Sequence, residues 1–150
     1  MSFDLSVIPN KNIVLAVTGG IAAYKSAILV RRLKDVGFNV RVVMTQGAQA
    51  FITPLTFQAL SGNPVHTELL NPEAEAGMGH IELARWADLL LVAPASCDTL
   101  AKFAAGLADD LLSTLYLATK SPVWVAPAMN QQMWAAKATQ RNLNTLVEDG

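Results

Sequence analysis

The apolar positions of this chain switch repeatedly between two spacings. Ile13-Val14-Leu15-Ala16-Val17 is a near-continuous apolar run rich in β-branched residues, which predicts a strand over 13–17 covered on both faces, as in a parallel sheet. It stops at Thr18-Gly19-Gly20. From there Ile21, Tyr24, Ile28 and Leu33 recur at helical spacing with Arg31, Arg32, Lys34 and Asp35 opposite, predicting a helix over 21–36 that Gly37 terminates. The unit then recurs with variation. A strand over 40–44 ends at Thr45 and leads to short helical pieces over 48–52 and 54–60. The stretch 61–79, with its glycines and prolines, reads as a long loop holding a small strand at Val65. A helix over 81–86 enters the apolar strand 89–93, which ends at Pro94-Ala95-Ser96. Helices over 99–105 and 109–118 follow, then a strand over 123–126 ending at Pro127-Ala128-Met129-Asn130, and helical sequence to about residue 147.

Strands alternating with helices, joined by right-handed crossovers, imply a mostly parallel sheet with helices on both faces. The fold class is therefore α/β: an open, doubly wound, Rossmann-like or flavodoxin-like three-layer sandwich, with 1–150 forming one domain. In such sheets ligands sit outside the carboxyl ends of the strands, where loops lead into helix amino termini carrying unpaired N–H groups and partial positive charge.

Charge narrows the function classes. The 11 Lys plus Arg are matched by 12 Asp plus Glu and 52% of residues are apolar, which excludes a disordered polyanion and a basic nucleic-acid binder. No apolar run is long enough to cross a bilayer, and the amino terminus lacks a basic stretch followed by an apolar core. A cytoplasmic protein with no membrane or nucleic-acid partner is expected. The lone Cys97 can form neither an internal disulfide nor a thiolate metal site, in keeping with a reducing compartment. Charged residues are only 15%, although a monomer of this size exposes about 7,000 Å². Part of that surface is therefore expected to be buried against other subunits.

The strand ends Thr18-Gly19-Gly20, Thr45-Gln46-Gly47, Pro94-Ala95-Ser96 and Pro127-Ala128-Met129-Asn130 each place small or hydroxyl-bearing residues just before a helix. Singly these are ordinary caps; together they suggest a flat or phosphorylated, nucleotide-like ligand approached by backbone amides. Two familiar phosphate motifs fail. The run from Gly19 to Tyr24 lacks the second and third glycines of a dinucleotide fingerprint, and Tyr24 stands where a Walker A loop needs glycine before Lys25-Ser26.

Gly19-Gly20-Ile21-Ala22-Ala23-Tyr24-Lys25, Gly79-His80-Ile81, Pro94-Ala95-Ser96-Cys97-Asp98-Thr99 and Pro127-Ala128-Met129-Asn130-Gln131-Gln132-Met133-Trp134 occur in the order and spacing of a known family. The chain resembles the homo-oligomeric flavin-containing cysteine decarboxylases. Within them it is most similar to the amino-terminal flavoprotein part of bifunctional coenzyme A biosynthesis enzymes, which act on phosphopantothenoylcysteine. The resemblance covers nearly the whole chain, and the Pro-x-Met-Asn-x-x-Met-Trp element is its most specific part.

The resemblance implies bound FMN, with Gly19, Gly20, Ile21, Thr45, Ser96, Cys97, Asp98, Thr99 and Ala128 at the cofactor-binding positions. The chemistry is suitable: hydroxyls and helix-start amides suit a phosphate, and the small Ala95 and Ala128 leave room for a ring. Ser96 and Asp98 serve equally as helix caps. Asp98 stands where many relatives carry Asn, and a carboxylate aimed at a reduced anionic flavin would be unfavourable, so it is expected to face backbone amides. By resemblance His80 is the catalytic base, while a lone His starting a helix can also be a cap or a surface residue. By the same resemblance Asn130 and Met133 are substrate-binding: Asn130 would hold the substrate carboxylate, which an amide does not stabilise in the ground state as an Arg would, and Met129, Met133 and Trp134 would add an apolar surround. The bland alternative is that Asn130 only caps a helix and that Met133 and Trp134 are core. His66, in the irregular loop, is assigned no role.

The implied reaction oxidises the cysteine to a thioaldehyde, after which loss of CO₂ leaves charge that delocalises to an enethiolate; return of the electrons yields 4′-phosphopantetheine. Relatives carry, beyond the last helix, a substrate-covering segment with a proton-donating cysteine that is not present by Gly150. Cys97 is no substitute and is expected to be a buried small side chain. The domain is accordingly expected to be truncated at its carboxyl end, with a phosphopantothenoylcysteine synthetase domain fused downstream, or else to decarboxylate without completing the reduction. The family assembles as trimers or dodecamers. Competing readings are a non-catalytic FMN-binding regulatory subunit, a peptidyl-cysteine decarboxylase, or a flavin prenyltransferase, the last disfavoured by the Gly20-Ile21-Ala22-Ala23 turn.

Overall fold

The computed structural model describes residues 11–70 and 78–150. Four strands, β1 (Asn12–Val17), β2 (Asn39–Met44), β3 (Leu89–Ala95) and β4 (Val123–Pro127), form one parallel sheet in the order β2-β1-β3-β4. Helices α1 (Ala23–Val36) and α2 (Pro54–Ser61) cover one face; α3 (His80–Trp86), α4 (Cys97–Ala105), α5 (Leu111–Ala118) and α7 (Lys137–Asp149) cover the other, with the short α6 (Gln131–Ala135) leading into α7. This is the doubly wound, flavodoxin-like α/β sandwich the alternation predicts, with its topological switch between β1 and β3.

The continuous apolar runs are explained by burial on both sides. In β1, Ile13, Leu15 and Val17 join the cluster under α1 and α2, while Val14 and Ala16 join the opposite cluster, together with Leu90 and Val92 of β3. Gly37 ends α1 as predicted: its φ is +106° and its N–H closes on the last turn, a conformation costly for any residue with a Cβ.

Helix α1 corrects one expectation. Its buried residues are Ala23, Ser26, Val30 and Leu33, whereas Ile21, Tyr24 and Ile28 point outward, Ile21 being 80% exposed. Small residues on the inner face let α1 approach the sheet, and Ser26 Oγ donates to the Ala93 carbonyl of β3 at 2.7 Å. The helix also starts at Ala23 rather than at 21, and α4 starts at Cys97 rather than at 99. The small strand expected at Val65 is a single parallel bridge between His66 and Val43. The middle of the loop, 71–77, lies outside the described residues. No described helix is long and apolar enough to cross a membrane.

Candidate functional site

The carboxyl ends of the four strands are laced to one another by hydrogen bonds. The Thr45 N–H donates to the Val17 carbonyl at 3.1 Å, tying the end of β2 to β1. Thr18, fully buried, bridges β1 and β3: its Oγ1 donates to the Pro94 carbonyl at 2.6 Å and accepts the Ser96 N–H at 2.8 Å. The Ala128 N–H donates to the Ala95 carbonyl at 3.1 Å, joining β4 to the row. Gly19 makes the row compact, since a Cβ there would lie 3.1 Å from the Gly47 carbonyl carbon.

Above this row lies a cleft of about 830 Å³, a size typical of small-ligand sites, lined by Gly19, Thr45, Ser96 and Thr99 on one side and by Thr67 and Glu68 from the irregular loop. Asp98, Lys102, Asp109 and Asp110 complete its charged rim. Ser96 caps α4, its Oγ accepting the Thr99 N–H at 3.1 Å and donating to Thr99 Oγ1 at 3.0 Å. The next amides, those of Cys97 and Asp98, have no acceptor among the described residues. Two orphan amides and two hydroxyls at the start of a nine-residue helix form a cradle suited to a phosphate. The residues of this strand-end row therefore fit a phosphorylated flavin.

The structure gathers Gly19, Thr45, Ser96, Asp98 and Thr99 around one cleft, and it disposes the other predicted positions differently. Gly20 and Ile21 run out along the exposed start of α1, and Ala128 sits on the row one strand away. Cys97 is half-buried rather than buried, with its Sγ 3.5 Å from Thr139 Oγ1 of α7. His80 opens α3 behind Gly79, on the same end of the sheet, because α3 runs back antiparallel into β3. Asn130 caps α6, its Oδ1 accepting the Met133 N–H at 2.8 Å, so the capping role is real; but Met133 and Trp134 are exposed, not core. His80, Asn130 and Met133 do not line the cleft.

Asp98 departs from expectation. Its carboxylate, 78% exposed, does not face backbone amides but pairs with Lys102 at 3.7 Å, one turn along α4. Lys102 is also 3.3 Å from Asp109 and 3.4 Å from Asp110, in the loop before α5 and at its N-cap. Burial alone would lower the Lys102 pKa, but Asp110, Asp109 and Asp98 outweigh it and raise it, keeping the ammonium charged. Asp110 shows the reverse balance: burial would raise it, yet the hydrogen bonds from Ser113 and the Lys102 charge hold it below the ordinary carboxylate value. Sequence reasoning missed Lys102, Asp109 and Asp110; their only signal was a charged pair flanking the helix-ending Gly106. A second cavity of about 650 Å³, between α4, α5, α7 and β4, contains none of the predicted site residues.

Residues 4–150 match the family described as Flavoprotein. The chain belongs to the Flavoprotein family. Among relatives of this Flavoprotein chain, the coenzyme A biosynthesis bifunctional protein CoaBC of Escherichia coli is 62% identical over 140 residues, covering 93% of this chain and 34% of that protein. The CoaBC protein of Bacillus subtilis is 47% identical, covering 94% of this chain and 35% of that protein. The chain thus spans about a third of the length of the curated relatives it matches. Among solved structures, the FMN-dependent cysteine decarboxylase SpaF is similar at a TM-score of 0.88 with 36% identity, over 96% of this chain and 83% of that one. A PPC decarboxylase mutant complexed with pantothenoylaminoethenethiol is similar at a TM-score of 0.75 with 35% identity, over 93% of this chain and 78% of that one.

Proposed function

We propose that this chain is the flavin-binding decarboxylase unit of a coenzyme A biosynthesis enzyme, converting 4′-phosphopantothenoylcysteine to 4′-phosphopantetheine with FMN as cofactor. The observation that carries the reading is the laced strand-end row, with Gly19, Thr45, Ser96, Asp98 and Thr99 lining a cleft of about 830 Å³, in a chain 62% identical to a bifunctional coenzyme A biosynthesis protein. Bound FMN supplies a two-electron acceptor that the side chains of this protein lack.

The chain's own residues do the rest. Ser96, Thr99 and the Cys97 and Asp98 amides hold the cofactor phosphate, with Gly19, Gly20, Ile21, Thr45 and Ala128 shaping the remaining contact surface. His80 at the start of α3 moves the proton that leaves the substrate. Asn130 orients the substrate carboxylate by its amide, and a neutral partner leaves that carboxylate less stabilised than a cation would as CO₂ departs. Met133 and Trp134 supply apolar surface that excludes water from the leaving group.

Two features support assembly with further copies of the chain, as trimers or dodecamers. Ile21, just before α1, and Tyr24 and Ile28 on it are exposed apolar side chains, as are Phe51 and Leu55. His80 and Asn130 stand outside the cleft of their own chain, so a complete site is built where copies meet. The bifunctional relatives, about three times as long, support a phosphopantothenoylcysteine synthetase on the same polypeptide downstream of a flavin domain over 1–150, in the cytoplasm. The test is anaerobic incubation of the FMN-loaded full-length protein with phosphopantothenoylcysteine. Stoichiometric CO₂ release, abolished by His80→Asn and reduced by Asn130→Ala, is expected; full turnover in both variants would remove their roles, and no CO₂ from the unaltered protein would remove the function.

A further inference from the structure

Among the described residues that line the cleft, Lys102 is the one cation, facing Glu68, Asp98, Asp109 and Asp110. Its Nζ lies 3.7 Å from Asp98, 3.3 Å from Asp109 and 3.4 Å from Asp110, and its side chain is largely covered. Asp110 divides its carboxylate: Oδ1 caps α5, accepting the Ser113 N–H at 2.8 Å in a capping box, and Oδ2 accepts from Lys102 Nζ at 3.4 Å. Asp98 is different. It occupies the first turn of α4, the turn whose amides form the phosphate cradle, and Lys102 is its ion-pair partner. A carboxylate there opposes an incoming phosphate twice over, by like charge and by folding back onto the same positive helix end that the phosphate would occupy.

We propose that Lys102 is a positioning residue for the cofactor phosphate: by drawing the Asp98 carboxylate one turn down α4 and offsetting part of its charge, it keeps the first-turn amides of α4 open to a dianion. This deepens, and rests on, the FMN reading above. It assigns Lys102 no direct contact with the phosphate, and it makes selection between phosphorylated and unphosphorylated flavin depend on the Asp98–Lys102 pair. Asp109 and Asp110 hold the ammonium in place from the opposite side, so that Lys102 cannot swing freely toward solvent.

The test titrates flavin-free full-length protein with FMN and, in parallel, with riboflavin, which has the same ring and no phosphate, following flavin fluorescence. In Lys102→Met the FMN Kd is expected to rise about tenfold while the riboflavin Kd stays within about twofold, the size expected for one solvent-screened like charge near a dianion. The Lys102→Met/Asp98→Asn double variant restores FMN affinity. Asp98→Asn alone, which keeps Lys102 and its other partners, binds FMN at least as tightly as the parent and keeps the test open if Lys102→Met fails to fold. Equal loss of FMN and riboflavin affinity would reduce Lys102 to a structural residue. A double variant as weak as Lys102→Met would mean that Lys102 touches the phosphate itself, and weaker FMN binding by Asp98→Asn would also overturn the proposal. Parent protein that binds neither flavin would refute the FMN reading, and with it this one.

Discussion

Removing one hydroxyl, in Thr18→Val, tests how the strand ends are held. Thr18 is fully buried between β1 and β3, and its Oγ1 donates at 2.6 Å to the Pro94 carbonyl and accepts at 2.8 Å from the Ser96 amide. Valine fills nearly the same space, so no cavity opens, and the Pro94 carbonyl retains the Thr18 N–H at 3.3 Å. The Ser96 amide, part-buried at the edge of the cleft, loses its acceptor. The lost bonds and a part-buried donor left without its acceptor cost about 1–2 kcal/mol, which for a domain of this length lowers Tm by about 2–8 °C. Ser96 also caps α4, so the phosphate cradle loosens with it and FMN affinity should fall with stability. Thr18→Ser keeps the hydroxyl and should recover most of both losses. Urea unfolding followed by circular dichroism, with FMN titration of the same samples, reads the effect. A Thr18→Val protein within about 0.5 kcal/mol of the parent would show that this bridge does not hold the row together.

Gly19→Val should be more damaging, because the first added carbon already meets the Gly47 carbonyl carbon at 3.1 Å. The turns after β1 and β2 must part, costing about 1–3 kcal/mol and about tenfold in FMN affinity, measured by urea midpoint and flavin titration. Asp110→Ala removes the α5 cap and should cost about 1–2 kcal/mol, with Asp110→Asn losing less because an amide oxygen still accepts the Ser113 N–H. His66 makes stability depend on pH. It is 8% exposed, its Nε2 has no partner among the described residues, and burial, then the Arg41 charge, lower its pKa from the ordinary 6.5. The unfolded chain therefore binds a proton before the folded protein does, so this contribution is whole above pH 6.5 and is lost as pH falls below it toward the folded-state value. The urea midpoint should drop between about pH 7 and about pH 5.5, and by less in His66→Gln; equal drops in both would clear His66.

The layered fold was legible because its signals are local. Ile13 to Val17 and Leu89 to Ala93 can be buried on both faces only in a covered parallel sheet, and the glycines and prolines at strand ends mark where the chain turns into helices. The strand-end cleft followed from topology. What escaped was orientation and long-range pairing. The spacing of Ile21, Tyr24 and Ile28 defines a helical stripe but not which side the sheet lies on; Ala23 and Ser26, too small to register as apolar anchors, permit the close approach that puts the stripe outside. Asp98 was read as a cap ahead of a helix over 99–105, whereas it lies inside the first turn of α4; its partner sits a turn away and is itself held by Asp109 and Asp110 from another loop, a pairing no local pattern announces. For His80 and Asn130 the sequence located the strand-end edge and the cap, not the distance to the cleft.

The central claim is that the laced ends of β1, β2, β3 and β4 hold FMN. Its most direct measurement is the flavin content of the purified full-length protein: denature it, identify what is released, and return FMN to the stripped protein. The account predicts FMN itself, one per chain, with rebinding that free phosphate weakens. Protein that releases no flavin and leaves added FMN unbound would contradict it.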